Sequence, residues 1–323
     1  MKALVAQALT GTAGLAYVDV ADVADATGNS VIIDVGAAGV CFPDLLLLRG
    51  EYQLKLEPPF TPGMEVAGTV RSAPEGSGFT VGQRVSAMSM LGGYAEQVAV
   101  APASVVPTPD GVDDASATAL LGNYYTMYFA LQRRAALRAG ETVLVLGSAG
   151  GIGVAAIQIA KALGARVVAL VHRPDAQDFV ASVGADVVLP LTDGWKQAVL
   201  DATGGRGVDV VVDPVGGDAF DDAIRAMAPE GRLLVIGFAA GQGIPTVKVN
   251  RLLLRNVSLV GVGWGEFVRH SPAAQAEVGA GLADLVAAGL RPPPPVTYRL
   301  ADGAEGLQAL ADGKIRGKLV LVP

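Results

Sequence analysis

The 323-residue sequence has a single cysteine, Cys41, and only two histidines, His172 and His270. One cysteine cannot form an internal disulfide or supply the four thiolates of a structural zinc loop. Runs of Lys and Arg are absent and the formal net charge is −7, which argues against the phosphate contacts that nucleic acids and anionic membranes require. Gln7 and Gly11 interrupt the first apolar stretch before it could serve as a signal sequence or a bilayer span. We therefore expect a cytoplasmic protein that acts on small molecules, with no nucleic-acid or membrane partner.

Small apolar residues are abundant instead. Hydrophobic residues make up 51% of the chain and 42 residues are glycine, which suits a large core, and the length favours two domains. Up to about residue 120, short apolar runs broken by Gly and Pro indicate strands and turns. From Glu141 onward, apolar strands alternate with helices, and six strands can be counted. This alternation predicts an α/β fold with a doubly wound parallel sheet. We expect the last strand, KLVLVP, to fold back on the N-terminal β-rich body.

A glycine turn, GSAGGIG at residues 147–153, joins the strand TVLVL to the helix VAAIQIAKALG. Such a turn presents backbone N–H groups at the positive end of a helix, which favours a pyrophosphate. Except at its first position, the pattern G-x-G-x-x-G is matched by Ser148, Ala149, Gly150, Gly151, Ile152 and Gly153. Within the six-strand series the turn predicts dinucleotide binding; the alternative is a tight turn without a ligand.

The second strand of this series ends in Val171-His172-Arg173. NAD-binding folds usually have an acidic residue here that holds the ribose hydroxyls, whereas Arg173 could pair with the 2′-phosphate of NADPH. We therefore predict NADPH as the cofactor, with His172 beside the adenosine phosphate. Asp175, just beyond, leaves NADH open.

Several longer segments extend these observations over essentially the whole chain. They include GVCFPDLLLLRGEY, PPFTPGMEVAGTV, LGNYYTMYFAL, GGRGVDVVVDPVGGDAF and GKIRGKLVLVP. Together they resemble the quinone oxidoreductase (zeta-crystallin-like) branch of the medium-chain dehydrogenase/reductase superfamily. The resemblance implies a GroES-like β-rich catalytic domain at residues 1–122 and 265–323, and a Rossmann domain at residues 123–264. It also implies NADPH in the cleft between them and a homodimer paired through the Rossmann sheets.

The same comparison bears on zinc. Zinc-dependent alcohol dehydrogenases of the superfamily carry ligands at positions that here read Cys41, Met64 and Leu121 to Asn123. Because catalytic zinc needs three N, O or thiolate ligands, we expect no metal, and we interpret Cys41 as an apolar residue beneath the nicotinamide. Without a metal to stabilise an alkoxide, the resemblance favours a zinc-independent hydride transfer to a quinone. Activated carbon–carbon double bonds (enones, enals and enoyl thioesters) are the second class of acceptor. A further hypothesis is that the protein binds NADPH without catalysing a reaction.

The resemblance also assigns residues to the nicotinamide and acceptor end of the site. Asn123, Thr126 and Tyr128 would line the nicotinamide, and Cys41 with Phe42 would form a wall. Tyr52 is our candidate for a donor to the acceptor oxygen.

Further positions follow from strand ends. Pro214 follows the fourth strand of the series and Gly237, Phe238 and Ala239 follow the fifth, where these folds bind ligands. By the resemblance to the family, they would border the ribose and nicotinamide. Arg316 could add charge near the phosphates, with a surface role equally open. We interpret Asp44 as a buried structural carboxylate, and Tyr124 and Phe129 as core residues.

Overall fold

The computed structural model describes residues 1–24, 28–271 and 273–323 of the chain. These residues form two compact units. The first comprises Met1–Gly122 and Arg291–Pro323, and the second comprises Asn123–Leu290. The first unit contains both ends of the chain, as predicted, but the second extends to Leu290 instead of ending at residue 264.

Antiparallel strands make up most of the first unit. Its N-terminal part contains β1 (Lys2–Ala6), β2 (Leu15–Asp19), β3 (Val31–Val40), β4 (Glu65–Ser72), β5 (Arg84–Met88), β6 (Gln97–Val100) and β7 (Val105–Pro107). Its helices there are α1 (Phe42–Leu48) and α2 (Asp114–Ala119). Strand β3 is central because it pairs antiparallel with both β4 and β6. Residues of β3 and β4 such as Ile33 and Val66 are fully buried and form part of the core.

Cys41 is the single residue between the end of β3 and the start of α1, and it is the N-cap of that helix. Cys41 has an extended backbone, and Pro43 lies in the first helical turn, where a missing N–H costs no hydrogen bond. The Asp44 carboxylate accepts a hydrogen bond from the Cys41 backbone N–H (2.8 Å). The helix ends before Gly50, whose φ of +68° suits the left-handed turn that follows many helices. Both ends of α1 are therefore fixed by local residues.

The second unit is built on a parallel sheet. Its strands are β8 (Thr142–Val145), β9 (Arg166–Val171), β10 (Val187–Pro190), β11 (Val208–Asp213), β12 (Met227–Val235) and β13 (Ser258–Gly261). Within the described residues these six strands lie in the order β10-β9-β8-β11-β12-β13, with every pairing parallel. Every residue of β11 is buried, as expected for a strand covered on both faces. The predicted doubly wound sheet is confirmed, and its strand order reverses between β8 and β11, where such folds bind ligands.

Helices cover this sheet and extend beyond it. They are α3 (Tyr125–Tyr128), α4 (Gly151–Ala162), α5 (Gln177–Ser182), α6 (Trp195–Ala202), α7 (Ala219–Ala226), α8 (Asn250–Arg255), α9 (Trp264–His270) and α10 (Ala273–Ala287). The last two explain the longer second unit. The ring of Phe129 lies 5.3 Å from that of Trp264 in α9, and the Tyr125 hydroxyl lies against Gly279 in α10. The predicted boundary at residue 265 is therefore displaced, because these helices cover the aromatic residues around α3.

The C-terminal segment completes the first unit. It contains β14 (Val296–Arg299), α11 (Gly303–Ala311) and β15 (Leu319–Val322). Strand β15 pairs antiparallel with β3 and parallel with β14, so the predicted return of the tail to the N-terminal β body is confirmed. Among the helices in the described part of the chain, none has both the length and the apolar character that a bilayer crossing needs.

Candidate functional site

The glycine turn between β8 and α4 has the geometry of an anion-binding helix start. Gly147 adopts a φ of +61°, and Gly150 is the N-cap of the 12-residue helix α4, whose first turn contains no acidic residue. A Cβ on Gly153 would collide with the Gly147 carbonyl oxygen, so only glycine allows this close approach of helix and loop. A Cβ on Gly150 would be 3.5 Å from its nearest neighbour. The first N–H groups of α4 have no partner within the helix. Because Gly150 has no side chain, an anion can approach these N–H groups closely.

Within this turn the Ser148 side chain is hydrogen-bonded to the protein itself. Its side chain is fully buried, and its hydroxyl donates to the carbonyl oxygen of Leu170 in β9 and lies 3.4 Å from that of Val145 in β8. The hydroxyl therefore ties the loop to two strands, and Ser148 can contribute to a cofactor only through its backbone. Ala149 and Ile152 are half-buried beside it.

The end of β9 carries the residues predicted to select the cofactor. His172 is exposed and Arg173 is half-buried, directly after the last strand residue, Val171. The Arg173 Nε lies 3.7 Å from the Asp175 carboxylate, a loose and partly exposed ion pair of the kind that contributes little to stability. Arg173 is therefore placed at the carboxyl edge of the sheet with its guanidinium only weakly engaged by Asp175.

The loops after β11 and β12 are joined at the same edge. Asp213, which the sequence reasoning did not single out, is buried and accepts hydrogen bonds from the backbone N–H groups of Val215 (2.9 Å) and Gly216 (2.8 Å). Burial raises the pKa of Asp213, and the two N–H groups oppose that rise. The Ala239 N–H donates to the Pro214 carbonyl oxygen at 3.1 Å. An aspartate before Pro-Val-Gly is a turn signal that could have identified this residue.

Two further residues of the second loop complete this edge. Gly237 lies close to the Pro214 carbonyl oxygen, which a Cβ at Gly237 would approach to 3.3 Å. The Phe238 side chain is 41% exposed. Pro214, Gly237, Phe238 and Ala239 therefore belong to two neighbouring loops at the carboxyl edge of the sheet, and their contact with a cofactor stays a prediction.

Around α3 the structure brings together only part of the predicted set. The Asn123 amide lies against Gly151, where any side chain would collide with it, and Thr126 follows one helical turn later, half-buried. The Tyr128 hydroxyl instead lies against Gly281 in α10. Because two helical positions correspond to a rotation of about 200°, Tyr128 points away from the face of Thr126. We therefore correct the assignment of Tyr128 to helix packing; Tyr124 and Phe129 are buried, as expected.

In the first unit, three polar side chains meet at the end of β3. Glu65 accepts a contact from Cys41 Sγ at one carboxylate oxygen (2.6 Å) and pairs with Lys318 Nζ at the other (2.8 Å). Lys318 Nζ lies 3.5 Å from Cys41 Sγ, and the Glu65 and Lys318 side chains are 0% and 5% exposed. We call these three residues the Cys41 cluster. Cys41 is thus not the apolar residue that we expected, because its sulfur faces a carboxylate and an ammonium group.

Strand registers and two glycines determine the Cys41 cluster. Gly39 pairs with Glu65 between β3 and β4, and Val40 pairs with Leu319 between β3 and β15, so Lys318 arrives beside Cys41. Added side chains at Gly39 or Gly122 would collide with the Glu65 carboxylate. The sequence analysis missed Glu65 and Lys318, although each is a charged residue beside an apolar run.

A second buried carboxylate lies next to the cluster. Asp44 Oδ2 accepts hydrogen bonds from the Cys41 backbone N–H and from the Tyr94 hydroxyl, both at 2.8 Å. Asp44 Oδ1 is buried, with no hydrogen-bond partner among the described residues. Burial raises the pKa of Asp44 to about 6, against the lowering effect of these two donors. Asp44 is therefore the buried structural carboxylate that we expected.

Phe42 and Tyr52 flank Cys41. The Phe42 side chain is 40% exposed and Tyr52 is half-buried. Burial, and then the charges of Cys41 and Asp44, raise the pKa of Tyr52, which indicates that these groups are close. Arg316 lies half-buried in the segment before β15.

The residues beside Cys41 do not fit a catalytic zinc ion. Zinc needs three protein ligands. Of the positions that would supply them beyond Cys41, Met64 and Leu121 are buried apolar side chains, Gly122 has no side chain, and the Asn123 amide lies against Gly151. The ammonium group of Lys318 already neutralises Glu65. Among the residues with described coordinates, no group of three or more His, Cys, Asp or Glu side chains could hold a metal ion.

Comparisons with known proteins agree with this architecture. Residues 27–110 match the family model of the alcohol dehydrogenase GroES-like domain, and residues 151–278 match that of the zinc-binding dehydrogenases. The chain is 38% identical over 242 residues to quinone oxidoreductase-like protein 2 of Bos taurus, an alignment that covers 74% of this chain and 69% of that protein.

Solved structures extend the similarity to the full chain. A probable oxidoreductase from Mycobacterium abscessus is 61% identical with a TM-score of 0.93, covering 100% of this chain and 99% of that one. The quinone oxidoreductase from Thermus thermophilus, whose complex with NADPH is also known, is 34% identical with a TM-score of 0.86 and full coverage of both chains. The chain therefore belongs to the quinone oxidoreductase family of the medium-chain dehydrogenase/reductase superfamily, with a GroES-like unit and a Rossmann-type unit, as its sequence motifs predicted.

Proposed function

We propose that this oxidoreductase binds NADPH and reduces a quinone by hydride transfer. The observation that carries the proposal is the Cys41 cluster. There the Lys318–Glu65 ion pair lies against the Cys41 sulfur, where a zinc ion would have to bind. The donor set does not suit a metal that could stabilise an alkoxide, so the acceptor must accept a hydride without one. Quinones meet this requirement, and the names of the family relatives support the choice.

The second unit supplies the groups that bind the cofactor. The N–H groups of Gly151, Ile152 and Gly153 at the start of α4 hold the pyrophosphate, and Arg173 at the end of β9 pairs with the 2′-phosphate. The loop fixed by Asp213, together with Gly237 to Ala239, borders the ribose and the nicotinamide. The bound NADPH supplies the hydride.

The first unit offers a hydrogen-bond donor for the acceptor. The product of hydride addition to a quinone is a phenolate-like anion, whose conjugate acid has a pKa of about 10 as in tyrosine. Such an anion needs only a donor or water to stabilise it. Burial raises the pKa of Tyr52, so its phenol stays protonated at neutral pH and donates to the acceptor oxygen. Phe42, which follows Cys41 in the chain and is 40% exposed, provides an apolar wall.

A substrate panel tests this function. Oxidation of NADPH is followed at saturating cofactor with benzoquinones and naphthoquinones, and in parallel with enones, enals and enoyl thioesters, each repeated with NADH as the matched control. We expect turnover with quinones and a preference for NADPH. Turnover confined to the double-bond acceptors would replace the quinone with that class, and tight NADPH binding without any turnover would indicate a binding protein.

We also propose that two copies of the chain pair through the second unit. Strand β13 is the last strand of the sheet order, so one of its edges has no partner strand within the described residues. Nearby in sequence, Ile244, Val249, Leu253 and Leu254 are 71 to 77% exposed. An open sheet edge beside exposed apolar side chains is typical of a surface that a second copy covers.

A further inference from the structure

The Cys41 cluster contains titratable groups to which the proposed hydride transfer gives no task. We propose that Glu65, by pairing with Lys318, offsets the ammonium charge that would favour a thiolate, so that Cys41 stays a neutral thiol and the only sulfhydryl of the chain is shielded from electrophilic acceptors. The shielding from quinones rests on the proposed function. The protonation of the thiol does not, and it is measured separately below.

The geometry favours the thiol over the thiolate. One oxygen of Glu65 faces the Cys41 sulfur and the other faces the Lys318 ammonium, so a proton on sulfur completes a hydrogen bond. With the thiol protonated, the buried cluster is neutral, because one carboxylate balances one ammonium. A thiolate would place two negative groups against a single cation and would remove that hydrogen bond, and uncompensated buried charge is unfavourable.

Of the other titratable groups that face Cys41, the carboxylate acts in the same direction and the two phenols are uncharged. Asp44 from α1 brings a second carboxylate, while Tyr94 and Tyr52 are neutral phenols whose pKa values are raised, first by burial and then by the neighbouring acids and thiol. Burial and then Glu65 raise the pKa of Cys41, Lys318 lowers it, and Asp44 raises it again. Lys318 is thus the opposing influence, and Glu65 neutralises it.

Two glycines and two strand registers accommodate Glu65 in this position. The glycines at positions 39 and 122 leave room for its carboxylate, which fills the space that a side chain at either position would occupy. The pairing of Gly39 with Glu65 and of Val40 with Leu319 fixes the backbones that carry Glu65 and Lys318. The ion pair is therefore held by the first unit itself.

The chemical benefit follows from the acceptor class. A thiolate adds to a ring carbon of a quinone: a C–S bond forms, the electron pair of the ring double bond moves to the carbonyl oxygen, and that oxygen takes a proton. The ring carbon that now bears sulfur then loses its proton while the second carbonyl oxygen gains one, which leaves Cys41 as the thioether of a hydroquinone. Because the thiolate is the nucleophile, each unit by which the thiol pKa exceeds the working pH slows this reaction about tenfold.

The pH dependence of alkylation tests the proposal, and the single cysteine makes the readout unambiguous. The folded protein is treated with iodoacetamide from pH 6 to 10, and modification of Cys41 is followed by mass spectrometry. For the wild type we expect slow reaction at pH 7.5 and a midpoint above that of a free cysteine, about 8.5. Glu65→Gln should lower the midpoint by at least about one unit and accelerate alkylation at pH 7.5 about tenfold. Glu75→Gln, on the surface, is the matched control and should leave the profile unchanged.

Two further measurements keep the test decisive if Glu65→Gln folds poorly. Lys318→Met, assayed at a temperature where circular dichroism shows the variant to be folded, should slow alkylation further, and faster alkylation of the folded variant would overturn the proposal. In the wild type, the ¹³Cβ shift of labelled Cys41 reports the thiol directly; a midpoint below about 8.5 would also overturn it. Exposure to 1,4-benzoquinone without NADPH should leave wild-type Cys41 unmodified at pH 7.5. Absence of quinone turnover would count against the proposed function alone, since the iodoacetamide profile does not depend on it.

Discussion

Glu65 Oε2 lies 2.8 Å from Lys318 Nζ although 253 residues separate the two along the chain. Strand β3 brings them together, since it pairs with β4, which begins at Glu65, and with β15, which begins just after Lys318. Both charges are buried, so each depends on the other for compensation. The pair therefore links the two ends of the chain within the first unit.

Removing one charge of this pair should be costly. Lys318→Met leaves Glu65 buried without a counter-ion, and we expect the free energy of unfolding to fall by about 3 to 5 kcal/mol. Glu65→Gln combined with Lys318→Met removes both charges at similar volume and should recover most of that loss. Urea unfolding of the two variants and the wild type measures the difference. A double variant as unstable as Lys318→Met would show that packing, and not charge compensation, sets the cost.

Asp44 should make the first unit less stable at neutral pH than at acidic pH. Its pKa is raised from 3.8 to about 6 in the folded protein, by burial. A raised pKa gives stability that is fully present below the unfolded value and is lost as the pH rises through the folded value. About two pKa units correspond to roughly 3 kcal/mol, lost between about pH 4 and pH 6.

Asp44→Asn removes this dependence while an amide oxygen can still accept from Tyr94 and from the Cys41 N–H. We expect the variant to gain about 2 kcal/mol of stability relative to the wild type between pH 4.5 and pH 7.5, because part of the roughly 3 kcal/mol is already lost at pH 4.5. Urea unfolding at both pH values measures the gain. Asp193→Asn, on the surface, is the control and should show none; an equal pH dependence in Asp44→Asn and wild type would exclude the carboxylate as its source.

The local patterns of the sequence predicted more of the fold than of the site. Apolar strands alternating with helices and a glycine turn are short-range signals, and the sheet and the start of α4 agree with them. Glu65 and Lys318 are each visible as a charge beside an apolar run, but their contact depends on two strand registers that no local periodicity contains. Tyr128 could have been corrected from the sequence, since its helical position relative to Thr126 already places it on another face.

Alanine substitutions at two glycines of the turn should have different effects, one on stability and the other on cofactor binding. Gly153→Ala forces a Cβ into the Gly147 carbonyl oxygen, and we expect a loss of about 1 to 3 kcal/mol in stability, as for other overpacked sites. Gly150→Ala meets nothing closer than 3.5 Å and has a φ of −85°, which alanine adopts. It should fold normally and bind NADPH about tenfold more weakly, or worse. Thermal unfolding and fluorescence titration with NADPH measure the two effects, and unchanged NADPH affinity in Gly150→Ala would place the pyrophosphate elsewhere.

Arg173 should select between the two nicotinamide cofactors. A hydrogen bond to a charged group contributes about 1.5 to 3 kcal/mol, so Arg173→Ala should weaken NADPH binding about tenfold or more and change NADH binding little. Asp175→Asn removes the loose ion pair with Arg173 and should strengthen the preference for NADPH. Dissociation constants for both cofactors test this. Equal weakening of NADPH and NADH in Arg173→Ala would refute the contact with the 2′-phosphate.

The exposed apolar residues around α8 should control the oligomeric state. Leu253 is 75% exposed within α8, close in sequence to the edge strand β13. If a second copy covers this surface, Leu253→Glu places a carboxylate in an apolar interface and should shift the protein from dimer to monomer. Sedimentation velocity measures the shift. Val81→Glu, an equally exposed apolar residue of the first unit at 73%, is the matched control and should leave the dimer intact. A wild-type protein that sediments as a monomer at micromolar concentration, or a dimer that persists in Leu253→Glu, would mean that this surface does not pair two copies.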